Sequence, residues 1–154
     1  MERLLAGLEA SAFAAEIRRS TFLYPLANVV HILAMLAFFA AVAAMDFRVI
    51  RATTVANARA FIDRVRPVAI VAFLFQAASG FMLFAPEASH IFMNPVFTIK
   101  LVAILIGLAN VIALEIYLRQ PGSQEITTGL RATAAVSLGA WLTVATLGRL
   151  IAYF

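Results

Sequence analysis

The chain has 154 residues, of which 64% are hydrophobic and 13% charged, and it contains no cysteine; its mean hydropathy is +0.96. This balance excludes an ordinary soluble domain and marks an integral membrane protein, and the lack of thiols excludes disulfides, thiolate metal sites and thioether-attached haem. The net charge of +4 comes from basic residues dispersed among helix ends without interleaved aromatics, which points to a membrane surface and not to nucleic acid.

Residues 1–20 mix acids and bases and have no compact apolar stretch before a small-residue cleavage site, so they do not read as a signal peptide. Glu2, Glu9 and Glu16 recur at sevenfold spacing, with Leu4, Leu5, Leu8 and Ile17 on other faces. The pattern predicts an amphipathic interfacial helix that turns into the membrane near Ser20. Four stretches then meet the requirement of about 20 apolar residues per span: 22–45, 67–85, 95–118 and 131–154. Together they use nearly the whole chain and leave one membrane domain, 1–154. The predicted fold is an all-α, up-and-down bundle of four transmembrane helices.

Prolines fall where a helix start tolerates them: Pro25 in the first turn or so of the first span, Pro67 near the start of the second, Pro86 just after it, and Pro95 opening the third. Pro121 and Gly122 mark a short turn that makes the last two spans antiparallel neighbours. Between the first two spans lie Arg48, Arg51, Arg59, Arg64 and Arg66, whereas the segment after the second span has no Arg or Lys before Lys100. By the positive-inside rule the arginine-rich segment is cytoplasmic. In a bacterial inner membrane both termini and the Pro86 to Pro95 loop are then periplasmic.

Tyr24, Asn28, His31 and Met35 are spaced by four, three and four residues and form a stripe on one face of the first span. Polar groups at that depth need partners, so this face is expected to point into the bundle. Gln76, Ser79, Lys100 and Arg149 lie in the matching halves of the other spans. At about 1.5 Å per residue, His31 lies about 12–14 Å below the surface, with Lys100 and Arg149 nearer to it. A histidine beneath two cations suits an anionic amphiphile such as haem b: an imidazole for the iron, and Lys100, Arg149, Arg18 or Arg19 for the propionates. The competing reading is that His31 bonds a neighbouring helix while Lys100 snorkels.

His90, in the loop between two prolines, becomes a second axial ligand only if that loop folds inward. Asp46 with an arginine, and Glu115 with Arg51 or Arg119, are expected to form interfacial ion pairs, and Asn110 to bond across the bundle. Ala77, Ala78, Ser79, Gly80, Gly107, Gly139 and Gly148 mark places for close helix approach. No HExxH, P-loop, GxSxG or GxGxxG pattern is present, so hydrolytic and nucleotide-driven mechanisms have no support.

The order of motifs, YP..N..H around His31, DFR at Asp46 to Arg48, NP.F..K ending at Lys100, and GR.IAY from Gly148, resembles an uncharacterised family of small bacterial four-helix membrane proteins over nearly the whole chain. More distantly the chain resembles the membrane-bound, haem-binding protoporphyrinogen oxidase and the membrane protein of copper-resistance systems. The oxidase resemblance implies a b-type haem with functional residues at His31 and Lys100, and an arginine match at Arg48. The Trp and Gly of the oxidase first helix are missing from 36–45, and Met35, Met45, Met82 and Met93 form no evident copper relay. The expected function is therefore b-haem binding with electron transfer to or from quinone or a partner redox subunit. The alternatives are an oxidase of porphyrin-like substrates and a noncatalytic assembly subunit of a larger membrane complex. A thin bundle also favours a homodimer or a partner complex.

Overall fold

A computed structural model of the chain describes residues 2–120 and 125–151. Nearly all of these are helical. Four helices are long and apolar enough to cross a membrane, as the composition requires of a multi-pass membrane protein. Pro121, Gly122 and the final Ala152 to Phe154 lie outside the described residues.

The N-terminal segment is two short helices, α1 (Glu2–Glu9) and α2 (Ala12–Arg19), and not the single helix expected. Ser11 makes the break: its hydroxyl donates to Leu8 O at 2.6 Å and accepts from Ala14 N at 3.2 Å, ending one helix and capping the next. The pair docks on the protein. Glu9 Oε1 accepts from Ser89 N at 2.7 Å, Arg18 Nη1 donates to Pro86 O at 2.8 Å, and Phe13 stacks on Phe81. Ala14 and Ile17 are buried beneath it.

The first two spanning helices, α3 (Leu23–Arg51, 29 residues) and α4 (Val55–Phe84, 30 residues), run past the apolar stretches that announce them. Thr54 caps α4 by accepting from Asn57 N, so Pro67 lies in the helix interior and not at its start. The physical reason is that the arginine-rich segment has a helical face of its own. Val55, Ala58 and Ile62 bury against Val49, Leu114, Leu118, Leu130 and Ala134 in a closed core, and this burial outweighs the proline's lost amide bond.

After α4, Ala85–Glu87 form a 3₁₀ turn followed by α5 (Ala88–Met93). Buried Asn94 then caps α6 (Pro95–Arg119), its Oδ1 accepting from Val96 N at 2.9 Å with Pro95 at the first helical position. Thr127 caps α7 (Thr128–Leu150). α3 packs along α4 and against α7, and α6 packs against α7. Side chains join α4 to α6, with Arg66 Nη2 bonded to Glu115 Oε2 at 2.5 Å at one end and Phe84 stacked on Phe97 at the other. Midway through the bundle an aromatic layer joins three helices. Trp141 meets Phe38 edge-on at 4.6 Å and Phe73 at 6.5 Å, and it lies against Gly107, where an added Cβ would stand 3.0 Å from two ring atoms.

Candidate functional site

The inward face of α3 is set by its smallest side chains. Ala27, Ala34 and Ala41 are buried at sevenfold spacing, because alanine lets the α3 and α4 backbones approach closely. Of the predicted stripe, His31 and Met35 are half-buried, while Tyr24 and Asn28 are exposed. The upper two residues therefore stand outside the bundle, at a depth where headgroups satisfy polar atoms.

His31 engages α4 through both ring nitrogens. Nδ1 is 3.0 Å from Ser79 Oγ, and Nε2 is 2.9 Å from Gln76 Nε2. Ser79 directs its only proton to Phe75 O at 2.6 Å, so the imidazole Nδ1–H is the donor to Ser79 Oγ. Nε2 is then the unprotonated nitrogen and accepts from the Gln76 amide, an assignment that follows from the hydrogen-bond network. Gly80 makes room for this contact: a Cβ there would lie 3.0 Å from His31 Cε1. Gln76 is only partly satisfied, since its buried Oε1 has no partner in the protein.

Lys100, half-buried on the second turn of α6, reaches across to α7, where its Nζ would be 3.2 Å from a Cβ on Gly148. Its ammonium is close enough to act electrostatically on the His31 ring. His31, Gln76 and Ser79 thus form one polar level contributed by two helices, as their matched depths predict. Arg149, the residue after Gly148, is exposed on the last turn of α7. His90 is exposed on α5, so that connection does not fold it inward over the bundle.

Below the aromatic layer lies a second polar level that composition and spacing did not separate from the helix ends. Asp46 is 2% exposed and Ser137 fully buried. They lie side by side, yet Asp46 Oδ2 and Ser137 Oγ make no hydrogen bond within the protein, nor does Asn110 Oδ1. The expected ion pair of Asp46 with an arginine is absent among the described residues. Glu115 takes the arginines instead, pairing with Arg66 and with Arg119 one turn on. Asn110 does bond across the bundle, donating to Thr133 O at 3.3 Å. The sequence signal for this level was the helical spacing of Ser137 and Trp141, one turn apart on α7.

Among the described residues no three histidines, aspartates or glutamates gather as a metal site. An open apolar groove of about 560 Å³ lies between α3 and α4, lined by residues such as Ala37, Pro67, Val71 and Phe75 but not by His31, so it offers no axial ligand. No protein-family model, curated protein or solved structure matches the chain.

Proposed function

We propose that this protein binds a b-type haem through His31 and passes electrons, to or from quinone or a partner redox subunit, within a bacterial inner membrane with both termini on the periplasmic side. The observation that carries the reading is the tautomer of His31. Its Nδ1–H is spent on Ser79, which orients the ring and leaves the Nε2 lone pair available, the arrangement in which a second-shell acceptor prepares histidine for a metal. Gln76 now holds that lone pair at 2.9 Å, so an iron bound at Nε2 would displace the amide. Lys100 supplies a cation beside the ring for a propionate, and Arg149 follows Gly148 at the same end of the bundle. Haem, when bound, supplies one-electron chemistry at its iron; the residues of this chain orient the ligand ring, balance carboxylate charge and exclude water.

The test is the visible spectrum of protein purified from cells with full haem supply, beside His31→Ala. A b-type Soret band in the wild type that is lost in the variant is expected; no band in the wild type overturns the reading. A band that survives in His31→Ala moves the axial ligand to His90. A second reading has its own observation, since both His31 nitrogens are already used to clamp α3 to α4. It makes the protein a noncatalytic assembly subunit, for which His31→Ala lowers bundle stability and recovery of a partner complex without any spectral change.

A further inference from the structure

The chain has eight carboxyl side chains. Asp46 alone is buried, the other seven being exposed or half-exposed. We propose that Asp46 is a proton-binding site inside the bundle, holding its proton as the neutral acid in an enclosed site beside Ser137. The inference goes beyond the haem reading and does not depend on it.

Three observations converge on it. The first is enclosure. On the arginine side the chamber is closed by the apolar core of Val49, Ile62, Leu114, Leu130 and Ala134, and on the other side by Phe38, Phe73 and Trp141. The second is the lack of a counter-charge. Every charged group on the surrounding helices whose contacts are described is directed elsewhere. On α3, Arg48 faces the Asn57 carbonyl and the Phe61 ring, and Arg51 faces Phe47. On α4, Arg59 and Arg66 engage Asp63, and Arg66 continues to Glu115 of α6. Arg119 also holds Glu115, while Arg131 of α7 donates to Ala52 O. A bare carboxylate enclosed in this way is not sustained in a bilayer interior.

The third observation is the balance of donors and acceptors. Asp46 Oδ2 and its neighbour Ser137 Oγ are both buried with no hydrogen bond within the protein. Binding one proton from solvent takes the carboxyl from charge −1 to 0. It also turns the carboxyl into a donor, so that Asp46 has a proton to give and the Ser137 oxygen can receive it. No electron moves and no other group changes charge.

Infrared spectroscopy of the full chain in detergent at neutral pH tests the assignment. The expected result is one protonated-carboxyl band that downshifts in deuterium oxide, disappears in Asp46→Asn, and is the same in sodium chloride and choline chloride. Isotope-labelled aspartate gives the same answer without a substitution, since the only aspartates are Asp46 and Asp63 and Asp63 is in an ion pair with Arg66; the band must shift on labelling. Absence of the band at neutral pH overturns the proposal. So does a band that labelling leaves in place, or one that sodium bleaches, the last of these making the chamber a cation site instead.

Discussion

Adding a methyl group at Gly80 tests whether His31 is held against α4 as described. In open space a glycine-to-alanine change within a helix stabilises by about 0.5–1 kcal/mol, because it removes backbone freedom from the unfolded chain. Gly139 supplies that reference within the same protein, since a Cβ there meets nothing within 4 Å. At Gly80 the new methyl would lie 3.0 Å from His31 Cε1, and the ring cannot swing aside without stretching bonds of 3.0 and 2.9 Å to Ser79 and Gln76. Overpacking of this kind costs about 1–3 kcal/mol, comparable to losing one or two buried hydrogen bonds at about 0.5–1.5 kcal/mol each. Gly80→Ala is therefore expected to fall about 1–3 kcal/mol below Gly139→Ala in unfolding by sodium dodecyl sulfate in mixed micelles, followed by circular dichroism. The decisive measurement is a double-mutant cycle. With His31→Ala in the background the obstacle is gone, and Gly80→Ala should stabilise as Gly139→Ala does. A coupling near zero between positions 31 and 80 would refute the packing argument, and with it the orientation of the imidazole on which the haem reading rests.

Three further outcomes separate rigid from yielding contacts. Gly107→Ala places a methyl 3.0 Å from Cε2 and Cζ2 of Trp141, a ring fixed by Phe38 and Phe73; the variant should lose about 1–2 kcal/mol relative to Gly139→Ala and shift the emission of the chain's single tryptophan. Gly148→Ala meets the far end of a flexible lysine, Lys100 Nζ at 3.2 Å, which moves easily, so its stability should match Gly139→Ala to within about 0.5 kcal/mol; a loss like that at Gly80 would mean that Lys100 is rigidly fixed. Glu115→Gln removes the partner that Arg66 and Arg119 share across the α4–α6 seam. Because these groups are only partly screened, a loss of about 0.5–1 kcal/mol that shrinks at high salt is expected in the same detergent assay.

Legibility in the sequence followed the physics of each signal. Apolar length is a bilayer requirement written directly into composition, so the four spans and the all-α bundle could be read from it. Their ends could not: Thr54, not Pro67, starts α4, since the apolar face of Val55, Ala58 and Ile62 gains its value only once α6 and α7 supply a surface to bury it. Depth was legible too, and it placed His31 level with Gln76 and Ser79. Helix rotation was not. The stripe of polar residues looked like the interior face of α3, but the alanines at 27, 34 and 41 took that place, because close backbone packing in a membrane depends on small side chains. Tyr24 and Asn28 fell outside as a result. Asp46 was misread for a related reason. Its neighbours Arg48 and Arg51 suggested a surface pair, but they follow it by two and five residues, about 200° and 140° around the helix, so the interior carboxyl faces away from both guanidinium groups.

The fastening of the two ends bears on how the His31 level is reached. At the arginine end, Arg59, Arg66 and Arg119 bind Asp63 and Glu115 above a closed apolar core, so opening there breaks ion pairs and exposes Val49, Ile62 and Leu118 together. At the opposite end α4 and α6 are joined through the Phe84–Phe97 stack and the 85–93 connection, over which α1 and α2 are held by Glu9, Arg18 and Phe13. This end is held by hydrogen bonds, ring contacts and the burial of Ala14, Ile17, Ala85 and Ala88, where the other is held by ion pairs over its core. On the proposed haem reading, a flat ligand would reach His31 at the end held without ion pairs among the described residues, beneath the α1–α2 pair. That end also bears Lys100 and Arg149, so the cations stand where an anionic group would arrive.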